Sequence, residues 1–230
     1  MTVHGLSVAQ ATYRKLRHNI IFGLLPPETR LRLEDLREPY GASIPTLREV
    51  LNRLASEGLV QAEDQRGFSV APISVSNLLE LANLRKLLEL HALELSFAAG
   101  DTNWESRLVA AHHKLSRIEK RMMAGENCDR TEWKRYDFEF HKVMIEGCGS
   151  GELMAAHGAV FDKYLRYQML FLTFRGDVAA DEHEALLGAA VTRDIDRARD
   201  VLTRHIDGGV THALAAYRAQ QKAPETAPGA

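Results

Sequence analysis

Four side chains in the second half of the chain are of types that bind metal ions, at spacings that let them meet. Asp137 and His141 stand four apart in Asp-Phe-Glu-Phe-His, so on a helix both project from one face, one turn from each other. His183 opens a segment of helical period and His205 lies well inside the next. A short turn between two antiparallel helices would bring these imidazoles together. Three imidazoles and one carboxylate suit zinc first, with nickel, manganese or iron as alternatives, and leave room for a water or a ligand oxygen. The spacing alone leaves a structural role open, because in a chain with ten histidines one Asp/His pair at i,i+4 arises readily by chance. His91, His112, His113, His157 and His212 have no such partner and read as structural or exposed. The same donor set could also activate water. A metal-dependent, hydrolase-type enzyme is therefore the alternative function, although the chain has no HExxH motif and suggests no Ser-His-Asp arrangement.

The elements that must position these groups belong to an ordinary globular chain of 230 residues, 45% hydrophobic and 26% charged, with a net charge of −2. That balance argues against a protein that coats nucleic acid nonspecifically, and no apolar run is long enough to suggest a membrane span. Met1 to Gln10 lacks a basic segment followed by an apolar one, and Cys128 and Cys148 form no CxxC pair. Both features point to a cytoplasmic protein.

Ser7 and Gln10 form a capping-box pattern ahead of a helix that ends at Gly23. Leu25-Pro26-Pro27 forces extended chain, and a short helix over Leu33 to Glu38 is closed by Pro39 and Gly41. Ser43 is a natural N-cap and Pro45 fits a first turn. Leu47, Val50, Leu51 and Leu54 then make an apolar stripe that stops at Gly58. Leu59 to Ala62 and Phe68 to Ala71 read as two strands of a hairpin. Three helices and a hairpin make a winged helix-turn-helix over residues 1–73. Its second helix of the pair, Ser43 to Glu57, would enter a major groove of DNA. Ser43, Thr46 and Arg48 face outward there, Arg53 is placed for a phosphate, and Arg66 and Gly67 could reach the adjacent minor groove. Charge does not announce this role, since acids nearly balance bases up to Pro72.

From Ser76 onward only helical periods appear, near 76–99, 103–124, 131–146, 151–174, 181–191 and 194–219. The fold class is mainly α, with the winged helix followed by an all-α antiparallel bundle over 76–222 and a disordered tail over 223–230.

Leu31-Arg-Leu-Glu-Asp-Leu, the run Ser43-Ile-Pro-Thr-Leu-Arg-Glu-Val-Leu-Asn-Arg-Leu-Ala-Ser-Glu-Gly-Leu-Val and Arg66-Gly-Phe-Ser-Val resemble the GntR family of bacterial regulators. The resemblance gives Arg48 an operator contact and makes Arg66 and Gly67 the wing tip. Ile44 stands where the family often has a DNA-contacting arginine, and Pro39 interrupts the helix that supports the turn. Asp137-Phe-Glu-Phe-His141, Glu182-His183-Glu-Ala-Leu-Leu and His205-Ile resemble the FCD domain of one GntR subgroup. This likeness implies that Asp137, His141, His183 and His205 hold a divalent ion beneath a pocket for a small carboxylate. Leu84-Arg85-Lys-Leu-Leu-Glu89 resembles the first helix of that domain, where Arg85 would clamp the carboxylate, unless it forms a surface ion pair with Glu89. Arg166 is a second effector candidate, from spacing alone. Cys148-Gly-Ser-Gly151 replaces a Gly-Asn-Pro turn and touches no proposed ligand. The expected protein is a homodimeric transcription regulator, a repressor in preference to an activator, without a membrane segment. It would bind operator double-stranded DNA with an affinity set by a carboxylate effector.

Overall fold

The computed structural model describes residues 6–63, 67–171 and 174–222. Among them are nine α-helices and one small sheet, grouped into two compact units. The fold is mainly α, a winged helix-turn-helix followed by a helical domain.

The first unit comprises Met1–Asn77 and Asp162–Leu170. Its first helix, α1 (Val8–Ile21), starts at the predicted capping box, where the Ser7 hydroxyl accepts from the Gln10 N–H and the Gln10 side chain accepts from the Ser7 N–H, both at 3.2 Å. Helix α2 (Leu33–Tyr40) runs through Pro39 instead of stopping before it. The missing proline N–H removes one bond from the last turn only, and Gly41, left-handed at φ 59°, ends the helix one residue after Tyr40. Helix α3 (Ile44–Ser56) is capped by Ser43, whose hydroxyl accepts from the Thr46 N–H at 3.4 Å. The predicted stripe of Leu47, Val50, Leu51 and Leu54 is buried. The sheet has the order β1-β3-β2, in which both β1 (Arg30–Leu31) and β2 (Val60–Glu63) run antiparallel to β3 (Gly67–Val70). The two-residue β1 was not foreseen. It gains its place by register, Leu31 opposite Phe68 with both buried.

The second unit comprises Leu78–Phe161 and Phe171–Ala230. It is built from α4 (Val75–Ala99), α5 (Thr102–Met123), α6 (Arg130–Glu146), α7 (Gly151–Phe171), α8 (Asp177–Thr192) and α9 (Ile195–Lys222). Helix α5 packs on α6 and α8, and α8 on α9. Leu93, Leu108, Leu115, Phe140, Leu186 and Leu202 fill the core.

The expected division at residues 73 to 76 leaves out one segment, since 162–170 of α7 group with the first unit. Polar contacts hold this segment there. Asp162 pairs with Arg17, Arg166 donates to the Ala71 carbonyl, and the Tyr167 hydroxyl donates to Asn77 Oδ1 at 2.8 Å. Arg66 and the tail 223–230 lie outside the described residues. No described helix is long and apolar enough to cross a membrane.

Candidate functional site

Helix α6 presents Lys134, Asp137 and His141 on one face, at i, i+3 and i+7, and all three are buried. Helix α8 supplies His183. The sequence reading placed this residue at a helix start, but α8 begins six residues earlier, after the positive-φ turn at Gly176, so His183 sits well inside it. His205 comes from α9. One ligand atom from each of Asp137, His141, His183 and His205 lies within 4.8 Å of the others. Ring centroids are 5.6 Å apart for His141 and His183, 5.0 Å for His141 and His205, and 4.7 Å for His183 and His205.

The donor set fits a divalent cation. His183 Nδ1 donates to Glu119 Oε1 at 2.9 Å, leaving Nε2 buried without a hydrogen-bond partner, 3.5 Å from Asp137 Oδ1. His205 Nδ1 donates to Glu182 Oε2 at 2.8 Å, and Arg175 braces the same carboxylate. Both nitrogens of His141 are buried without a hydrogen bond. Nδ1 stands 3.6 Å from Glu89 Oε2 and Nε2 stands 4.0 Å from Asp137 Oδ1. A carboxylate that takes one ring proton fixes the tautomer and turns the other nitrogen, as an acceptor, toward an ion. Orphaned nitrogens in an apolar core are costly, and a metal would satisfy them.

Electrostatics favour the same state. Burial depresses the pKa of His205 well below 6.5, outweighing the Glu182 hydrogen bond, and lowers that of His141 against the pull of Glu89. Both imidazoles are thus held neutral. Burial would raise the Asp137 carboxyl, yet it is held well below the usual carboxylate range, and the Lys134 ammonium beside it is the foremost charge that favours the carboxylate. Lys134 reaches Asp137 Oδ2 at 3.3 Å and leaves Oδ1 toward the imidazoles.

The structure divides the two effector candidates. Arg85 is adjacent to the cluster through Glu89, which it meets at 2.6 and 3.3 Å. The pair predicted for the surface is completely buried, and Glu89 also binds His157 Nε2 at 2.7 Å. Arg166 belongs to the first unit and not to this cluster, and its guanidinium is held by the Ala71 carbonyl. Sequence reasoning missed Glu119, Lys134 and Glu182, named Glu89 only as an ion-pair partner of Arg85, and read His157 as structural or exposed. Lys134 could have been found from its i-to-i+3 relation to Asp137, whereas Glu119 and Glu182 carry no spacing to the residues they serve.

At the other candidate surface, Ser43 and Thr46 share a hydrogen bond between hydroxyls at 2.9 Å, at the N-terminal turn of α3. Arg48 is exposed on the following turn, and Gly67 opens β3. Arg53 lies near the C-terminal end of α3, 3.8 Å from the centre of the Tyr13 ring and 3.3 Å from Glu57. Sequence reading also passed over Arg30 and Arg32, which line a cleft with Ile44 and Arg48.

Residues 8–70 match the family described as bacterial regulatory proteins, gntR family, and residues 80–208 match the FCD domain. The HTH-type transcriptional regulator BphR of Paraburkholderia xenovorans is 33% identical, over 89% of this chain and 84% of its own length. The HTH-type transcriptional repressor GlaR of Escherichia coli is 32% identical, over 84% of this chain and 90% of its own. Among solved structures, E. coli McbR/YncC shares the fold, with a TM-score of 0.76 at 20% identity, over 93% of this chain and all of that one. These relatives and family descriptions are those of transcriptional regulators, which sets aside the reading of the cluster as a hydrolytic centre. The chain belongs to the GntR family of bacterial regulatory proteins, with an FCD domain following its winged helix.

Proposed function

We propose that this regulator is a homodimeric repressor whose affinity for operator DNA is set by a small carboxylate metabolite bound near a divalent metal ion. The observation that carries the proposal is the buried convergence of Asp137, His141, His183 and His205, with unpartnered nitrogens turned inward. These four residues would hold the ion, zinc being the first choice for three imidazoles and a carboxylate. When bound, the ion supplies positive charge to an effector oxygen. Glu119 and Glu182 orient His183 and His205, and Arg85 is the protein's own cation for the effector carboxylate. Ser43, Thr46, Arg48 and Gly67, with Arg66 and Arg53, are assigned to DNA.

Regulation then requires the effector to bind one state of the dimer more tightly than another, and DNA affinity changes by the same coupling energy. The relative named as a repressor supports that sign. The test selects bound sequences from a randomised duplex library, then measures anisotropy with metal-loaded and chelator-treated protein across a panel of small carboxylates. Specific, salt-sensitive binding that one carboxylate weakens in the metal-loaded protein, and leaves unchanged in His183→Ala, is expected. Equal DNA binding under all conditions would overturn the effector and metal assignments.

A further inference from the structure

In the first unit a cleft of about 700 Å³ is lined by Arg30, Arg32, Ile44, Arg48 and Gly67, and by the acids Glu34 and Asp35. We infer that Arg30 and Arg32 form, with Arg48, a clamp for a phosphodiester of the DNA strand that borders the groove entered by α3. This assignment rests on the DNA-binding reading above and extends it to residues outside the recognition helix and wing.

Backbone geometry places the pair. Arg30 is in β1 and Arg32, at φ −76° and ψ 125°, continues the extended chain. Side chains two apart in extended chain share a face. Leu31 turns into the core between two exposed arginines. β1 is anchored to β3, Arg30 opposite Ser69, so the pair is fixed relative to the strand that leads from the wing. On the other wall Ile44 is the first residue of α3, and Arg48 projects one turn later.

A cleft that touches both the leading turn of a recognition helix and the base of the wing lies over a groove edge. The groove edge of a duplex is sugar-phosphate, and arginine is well shaped for phosphate oxygens. Three guanidinium groups face two carboxylates, one of which, Glu34, is paired with Arg37 at 3.3 Å. Arginines thus outnumber acids along this lining despite the near balance of charge along the first unit. Ile44, apolar and half-exposed, contributes no competing charge at the cleft.

The test uses the full-length protein and a duplex obtained by selection from a randomised library. For Arg32→Ala and Arg30→Ala, binding should weaken several-fold, and the slope of log K against log salt should become shallower by about one per protomer, with the selected sequence unchanged. Replacing single phosphates of that duplex by neutral methylphosphonates should, at one position per half-site, weaken binding by the wild type and cost measurably less in Arg32→Ala. The wild-type half of this arm does not depend on the folding of a variant. A wild type that selects a sequence, with Arg32→Ala matching it in affinity and slope, or with equal methylphosphonate losses in both proteins at every position, overturns the clamp alone. A wild type that selects no sequence overturns the DNA-binding reading and the clamp with it.

Discussion

The carboxylate behind each imidazole decides what the imidazole can do. Glu119 takes the Nδ1 proton of His183 and so frees Nε2 for an ion. Glu119→Gln keeps the shape but weakens the acceptor, and a 10- to 100-fold loss of zinc affinity is expected, measured by competition with a chromophoric chelator. Protons act on the same nitrogens. His205 and His141 titrate below 6.5 in the folded chain, so between their folded values and 6.5 the unfolded chain binds more protons. The stability of the metal-free protein is therefore fully present above pH 6.5 and declines as the pH falls toward the folded values. Thermal unfolding should occur at a lower temperature at pH 5.5 than at 7.5, and zinc affinity should fall over the same interval, since the ligands must be unprotonated. The four donors were legible in the sequence because helical spacing and motif both marked them. Their supporting carboxylates were not, and adjacency misleads: Glu182 precedes His183 in the chain but bonds His205.

Punctuation fixes the elements. Gly100 separates α4 from α5, and a Cβ there would lie 2.5 Å from Trp104 Cε3 and 2.7 Å from the Ser96 carbonyl oxygen. Trp104 cannot yield, because it is buried and its indole N–H is held by the Val143 carbonyl at 2.8 Å. Gly100→Ala should destabilise the protein by about 1–3 kcal/mol, read as a shift of the urea midpoint at unchanged slope. Caps and glycines made most helix ends readable within a few residues. Short or tolerant features escaped: β1 is fixed by pairing with β3, which no local pattern encodes, and Pro39 fits inside the last turn of α2. At Cys148 to Gly151 the altered turn still caps α7, since the Ser150 hydroxyl accepts from the Leu153 N–H at 3.2 Å.

For the whole molecule, the assignment as a homodimer finds its support on α4. That helix buries one face, with Leu78, Leu81, Ala82, Ala92, Leu93 and Phe97 turned into the core. Leu84, Leu87 and Leu95 nevertheless form an exposed stripe, Leu87 being 66% accessible. Leu87→Glu should shift sedimentation velocity from dimer to monomer and weaken operator binding, with unchanged helical content by circular dichroism. A wild type that sediments as a monomer would remove the assignment. Two-domain order was readable in the sequence; the grouping of residues 162–170 with the winged helix was not, because it depends on contacts made across long separations, Arg17 with Asp162 among them. The sealing of Asp137, His141, His183 and His205 from solvent carries a kinetic corollary. An occupant enclosed by α6, α8 and α9 leaves only when those helices part, so the exchange rate is governed by breathing of the bundle and not by affinity alone. Such an ion would behave as a long-lived structural component, and a metabolite that meets it would enter on the same opening of the bundle.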